Sequence, residues 1–192
     1  MIPDFNQSGV LPPFLATRGP TDSAAMAPYP TSMAEVADTL GFSVERRGIL
    51  SGLLDFRRAL QAAGFTDGFQ WLAGSYLEDC ETQRRRPPKD VDVVTFARRP
   101  PALQEQGAWN KFVAGSPELF DRNVVKSAHS CDAFFVDLSL PPEAIVSRTR
   151  YWFGLFSHQR ATYLWKGILQ IPLHANDDAA LALLSGDRKH AS

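Results

Sequence analysis

Apolar side chains at Ile49, Leu50, Leu53, Leu54, Phe56, Leu60 and Ala63 recur every three to four positions. That spacing marks one face of an α-helix. It predicts a helix from about Glu45 to Ala63, with Gly64 as C-cap. Arg46, Arg47, Arg57 and Arg58 are assigned to its other, polar side. Ser32-Met33-Ala34-Glu35 has the form of a capping box and predicts a shorter helix to about Leu40, ended by Gly41. Three runs read as strands: Phe69–Ala73, Asp90–Phe96 and Ala133–Leu140. Each is short, rich in β-branched or aromatic residues, and bounded by breakers. Residues 161–173, with Tyr163, Trp165, Ile168, Leu169, Ile171 and Leu173, predict one or two more. Short helical stretches fill the intervals: about 76–82, a region after Pro100-Pro101, a turn near Pro117–Phe120, and about Glu143–Tyr151. Asn176 caps a last helix through Leu184, and Gly186 ends it.

Residues 1–30 follow no such period. Pro12, Pro13, Pro20, Pro28 and Pro30 exclude a helix, and small polar residues fill the gaps. Ile2, Phe5, Val10, Leu11 and Phe14 predict that the first part lies across the domain, with disorder expected over 16–30. The expected organisation is a partly disordered, Pro-rich leader over 1–30 and a single domain over 31–192.

Composition narrows the function classes. With 192 residues, 44% of them hydrophobic, the chain can bury a real core. A formal charge of −1 argues against a general nucleic-acid coat. Cys80 and Cys131 make neither a metal-ligand spacing nor a disulfide framework, and free thiols in a reducing compartment are expected. The N-terminus has no basic start followed by an apolar run, and no stretch approaches a membrane span. A cytoplasmic protein without a membrane partner is the expectation.

The candidate chemistry lies in the middle of the chain. Asp90 and Asp92 sit two apart in a β-branched run, so on a strand they project from the same face. Like charges that close disfavour each other's ionisation unless a cation lies between them. Mg²⁺, a hard ion with oxygen ligands that often carries a substrate phosphate, resolves that conflict. Gly74-Ser75 closes an earlier strand and opens a helix, where free N–H groups can hold phosphate. Strand 133–140 supplies a further acid. Asp137 and Asp132 have opposite parity, and Asp137 is taken as the partner of the pair.

Gly-Ser, then Asp-apolar-Asp on a strand, then a later strand Asp resembles the nucleotidyltransferase superfamily that includes DNA polymerase beta. Ile2-Pro3-Asp4-Phe5-Asn6, Gly9-Val10-Leu11-Pro12-Pro13 and Trp71–Ser75 are similar to a bacterial family of uncharacterised nucleotidyltransferase-like proteins. The resemblance implies an α+β fold with a mixed β-sheet and helices packed on one face. It implies Mg²⁺ (or Mn²⁺) held by Asp90, Asp92 and Asp137, and an NTP against Gly74 and Ser75. Arg86 and Lys89, in the basic loop Arg84–Lys89, would contact the triphosphate or an RNA backbone. The implied reaction moves a nucleoside monophosphate to a hydroxyl of RNA, protein or a small molecule, in a setting such as a toxin–antitoxin or phage-defence pair.

Glu78, Asp79 and Glu81 depart from the pattern, because acids facing a triphosphate would repel it. They motivate a second reading, a nucleotidyltransferase-fold module without turnover that acts through a partner protein. A metal-dependent phosphohydrolase is a third, but the histidines usual in such sites are lacking. Lys126 and His129 read as a surface helix end, and Tyr151–Phe156 as core aromatics before a polar turn at His158 and Arg160. Base stacking by that aromatic run and an acceptor contact at Lys166-Gly167 are the alternatives.

Overall fold

The computed structural model describes residues 1–186. Among these, five strands form one sheet in the order β1-β5-β2-β3-β4: β1 (Tyr29–Pro30), β2 (Gly68–Ala73), β3 (Val91–Ala97), β4 (Cys131–Asp137) and β5 (Leu169–Pro172). β2 runs antiparallel to β3 and β5, while β3–β4 and β1–β5 are parallel. The sheet is therefore mixed and the fold α+β. The helices are α1 (Met33–Leu40), α2 (Val44–Ala62), α3 (Cys80–Arg84), α4 (Gln106–Gly115), α5 (Pro117–Phe120), α6 (Arg122–His129), α7 (Pro142–Phe156) and α8 (Asp178–Ser185). No helix among the described residues is long and apolar enough to cross a membrane.

Strand alternation divides the core into two layers. Phe135 on β4 faces an aromatic cluster of Phe65, Trp109 and Phe120, from α4, α5 and the turn after α2. Phe134, one residue earlier, faces the other way, against Trp152 and Phe156 of α7. Helices thus cover both faces, whereas the resemblance implied one. The reason lies in Trp71, Phe96 and Phe134, a second apolar surface that α7 covers, with Phe153 meeting Trp71.

α2 is the central helix. Its N-cap Ser43 accepts a hydrogen bond from the Arg46 amide at 3.2 Å, and Leu50, Leu53 and Leu60 are fully buried. Each such leucine contributes about 1.5–3 kcal/mol of hydrophobic stabilisation. Gly52 lets α6 come close, since a Cβ there would lie 2.1 Å from the His129 carbonyl oxygen. Arg46 and Arg57 are fully buried, not on the solvent side as expected. Arg57 donates to Gln70 Oε1 (2.8 Å), the Pro172 carbonyl (3.0 Å) and Asp177 (2.6 Å), tying α2 to the sheet and to the start of α8.

The leader is woven into the domain. Val10 and Leu11 are fully buried, and the Leu11 carbonyl accepts from the Gly167 amide at 2.8 Å. Segment 16–30, expected to be disordered, carries a 3-10 turn at Ser23–Ala25 and edge strand β1, with Ala25, Ala27 and Tyr29 buried. Pairing with β5 satisfies its backbone, and Tyr29 donates its hydroxyl to the Pro12 carbonyl at 2.8 Å. Only β5 forms within 161–173, because Tyr163 takes a positive φ of 58° and turns the chain before the strand begins.

Candidate functional site

β2 ends where the Gly74-Ser75 turn begins, and in register Ala73 lies opposite Asp92 of β3. Gly74 has φ +77°, and a Cβ built on it would fall 1.9 Å from Asp92 Oδ2. Both the backbone conformation and the contact require glycine here. The Gly-Ser turn and the central acid, well separated in sequence, are thus in van der Waals contact. The expected helix over 76–82 is replaced by a 3-10 turn, Gly74–Leu77, followed by the short α3. Four residues of 3-10 turn supply little macrodipole, so phosphate binding there depends on individual groups.

The third acid is Asp132, not Asp137. In the parallel β3–β4 ladder Asp92 pairs with Asp132, while Asp137 pairs with Ala97 at the far end of the strands. Five residues at about 3.3 Å each separate the two acids along β4, and odd spacing puts them on opposite faces. Asp137 is instead buried against Arg99, whose Nε donates to it at 2.7 Å. It therefore stands at the opposite end of the strands from Asp90 and Asp92, not beside them as the sequence suggested.

Asp90 immediately precedes β3 and pairs with Lys126 of α6 at 2.5 Å. The same ammonium lies 3.5 Å from Asp132. Arg122, one turn earlier on α6, binds both Asp132 oxygens and lies over the Phe134 ring. Burial pushes the Asp132 carboxyl up, but Arg122 and Lys126 outweigh it and hold the group below the usual range. Asp92 lies beside these acids, and among the described residues no hydrogen bond or ion pair to its side chain is found. Burial, then the charges of Asp132 and Asp90, push its carboxyl up to about 6, against smaller opposing effects of Lys166 and Lys126.

The acids after the turn are each engaged by the scaffold. Glu78 is buried, bound by Lys166 Nζ (2.5 Å), Gln159 Nε2 (3.0 Å) and Arg84. Glu81 pairs with buried Arg46, which also donates to the Tyr76 and Glu78 carbonyls at 2.8 and 2.6 Å. Asp79 caps α3 through the Thr82 amide. Their charges are absorbed by the scaffold, which removes the objection they raised to anion binding. Ser75 is half-buried at the mouth of the turn. Arg86 and Lys89 are exposed on the loop before Asp90, and Arg86 donates to the neighbouring Pro87 carbonyl.

Three carboxylates of the hard-oxygen type suit Mg²⁺ or Mn²⁺ in kind. Among the described residues, no group of three or more His, Cys, Asp or Glu is gathered closely enough to hold a metal ion as it stands. The Lys126 ammonium lies between Asp90 and Asp132, 2.5 and 3.5 Å from their carboxylates. A divalent cation would take over the charge neutralisation that Lys126 now performs.

By fold and site this is an α+β protein with a carboxylate cluster beside a glycine turn. The chain belongs to a family described only as of unknown function, DUF6932, which it matches over residues 3–172. No curated protein and no solved structure matches it. The family span takes in the leader, the Gly74-Ser75 turn, all three clustered acids and Lys166, and ends with β5.

Proposed function

We propose that the protein is a Mg²⁺-dependent nucleotidyltransferase that moves a nucleoside monophosphate from an NTP to a hydroxyl of RNA, protein or a small molecule. The observation that carries this reading is the meeting of Gly74 with Asp92, and of Asp92 with Asp132 across β3 and β4. A turn and three acids from three separated segments converge, which neither the core nor the sheet ladder requires. Asp90, Asp92 and Asp132 would hold Mg²⁺ or Mn²⁺, which when bound lowers the pKa of an attacking hydroxyl and neutralises the leaving pyrophosphate. Ser75 and the turn's backbone would bind the phosphate tail. Arg86 and Lys89 would steer the triphosphate or a polyanionic acceptor from the exposed loop. Burial and the charges of Asp132 and Asp90 push the Asp92 carboxyl up to about 6, so a cation held there would relieve that acid most. A cytoplasmic toxin–antitoxin or phage-defence setting rests on the resemblance alone.

One observation favours a second reading, a nucleotidyltransferase-fold module without turnover that acts through a partner protein. Lys126 bridges Asp90 and Asp132 where a cation would bind. The test is transfer of label from each α-phosphate-labelled NTP, with Mg²⁺ or Mn²⁺, to host RNA and protein. Asp92→Ala and Asp132→Ala variants run in parallel. Transfer by the wild type alone supports the enzyme. No transfer with any nucleotide or metal refutes it and leaves the binding module.

A further inference from the structure

Lys166 is far from the Gly-Ser turn in sequence and belongs to the stretch between α7 and β5. Its side chain is nevertheless buried (2% exposed) directly at that turn. Nζ donates to the Gly74 carbonyl oxygen at 2.8 Å and to Glu78 Oε1 at 2.5 Å. The stretch is itself pinned on both sides. The Lys166 amide donates to the Ser157 carbonyl at 2.7 Å, and the Gly167 amide to the Leu11 carbonyl at 2.8 Å. A Cβ at Gly167 would lie 2.5 Å from the Pro12 carbonyl oxygen, so the leader packs against this stretch without clearance. Glu78 is fixed in turn by Gln159 and Arg84.

A buried ion pair is often no more stabilising than well-packed apolar groups of the same volume. Stability alone therefore gives little reason for a lysine at this position. Placement does. In a trans peptide the carbonyl and the following N–H point in opposite directions. Anchoring the Gly74 oxygen on Lys166 thus sets the direction of the Ser75 N–H, on the side of the peptide away from the Lys166–Glu78 pair. Gly74 would otherwise be the freest residue of the turn.

We propose that Lys166, held by Glu78, is a positioning residue that orients the Gly74–Ser75 peptide for the phosphates of a nucleoside triphosphate. This rests on the nucleotidyltransferase reading and specifies which group outside the motif sets the geometry of its phosphate-binding turn. Lys166 touches neither substrate nor reacting atoms in this role.

The experiment compares the wild type with Lys166→Met and with the charge-balanced pair Lys166→Met/Glu78→Gln, which avoids stranding a buried carboxylate. Arg57→Met/Asp177→Asn, which dismantles a buried ion pair elsewhere, controls for general loosening. Thermal unfolding, amide hydrogen exchange over Ser75–Leu77, and calorimetric binding of each Mg²⁺-loaded ribonucleoside triphosphate are measured on all four proteins. The expected result is faster exchange in the turn and about tenfold or greater loss of triphosphate affinity in both Lys166 variants. The Arg57 control should lower the unfolding temperature without changing affinity. Unchanged exchange, or unchanged affinity in a folded Lys166 variant, overturns the proposal. A wild type that binds no triphosphate defeats the parent nucleotide reading, whereas the exchange data still decide whether Lys166 holds the turn.

Discussion

Asp92→Asn should make the protein more stable at neutral pH. The Asp92 carboxyl is pushed from 3.8 to about 6, so the fold favours its neutral form. For an acid shifted upward the sign is adverse. There is no penalty below pH 3.8; it grows as pH rises towards 6, and is complete above that. At about 1.4 kcal/mol per pH unit the ionised group costs on the order of 3 kcal/mol at pH 7. Asparagine is nearly isosteric, cannot ionise, and sacrifices no side-chain hydrogen bond or ion pair found for Asp92 among the described residues. For a domain of this size, 1 kcal/mol corresponds to about 2–4 °C, so the midpoint should rise by roughly 6–12 °C. Urea unfolding of both proteins between pH 4 and 8 measures the effect. The curves should approach each other at the acid end, separate through about pH 4–6 and run parallel above that. Millimolar Mn²⁺ or Mg²⁺ should narrow the gap by stabilising only the wild type. A variant less stable than the wild type at pH 7, or a gain independent of pH, would refute the account of Asp92 as an uncompensated charge.

Asp132→Asn should reduce nucleotidyl transfer by more than about a hundredfold, while Asp137→Asn should retain transfer. The latter should lose about 3–5 kcal/mol of unfolding free energy by stranding Arg99; equal transfer defects would reinstate Asp137. Gly74→Ala forces a residue with Cβ into φ +77° and against Asp92 Oδ2. It should cost at least about 1–2 kcal/mol from conformation alone and weaken triphosphate binding, as calorimetry would register. Arg46→Met leaves Glu81 and two carbonyls unserved and should lower stability by about 3 kcal/mol, read as a shift in urea midpoint at constant m. Lys126→Met removes the ammonium from Asp90 and Asp132, so the Mn²⁺ concentration needed for half-saturation should fall severalfold in an EPR titration. An unchanged or higher value would show that Lys126 does not compete with a cation.

How much of this was readable from the residues differs by element. Gly74, Ser75, Asp90 and Asp92 were legible because their signals are local: a turn glycine after one strand and a period of two along another. The third acid was not. Parity correctly separates Asp132 from Asp137, but which of them faces Asp92 depends on the register of β3 against β4. That register is a non-local pairing which no pattern within β4 encodes. Arg46 and Arg57 could have been found. Arg46 lies three residues before Ile49, and Arg57 lies four after Leu53 and three before Leu60. Both therefore fall within the apolar stripe of α2, where an arginine implies buried partners. Lys166 carried no signal of comparable strength, because its partners Gly74 and Glu78 are about ninety residues away, and Arg122 and Lys126 meet Asp132 only through the packing of α6 on β4.

The costs in this molecule are unevenly distributed. A cleft of about 620 Å³ opens at the far end of β3, lined by Asp67, Arg98 and Arg99 among others. Its charges are already matched: Arg99 binds Asp137, and Arg98 pairs with Asp67. Around Gly74 the balance differs. There a residue takes a left-handed backbone, an acid is kept from ionising freely, and a lysine and a glutamate are buried as a pair. Unfavourable features persist when a fold retains them for a purpose other than stability, and they cluster at working sites. A cleft lies near Arg99, but the unrelieved charge is at Asp92. A cation carrying a phosphate chain would relieve that charge and use the turn that Lys166 holds, whereas Arg98 and Arg99 at the other cleft already have carboxylate partners. The chemistry of this fold is therefore expected at the Gly74 end of the sheet.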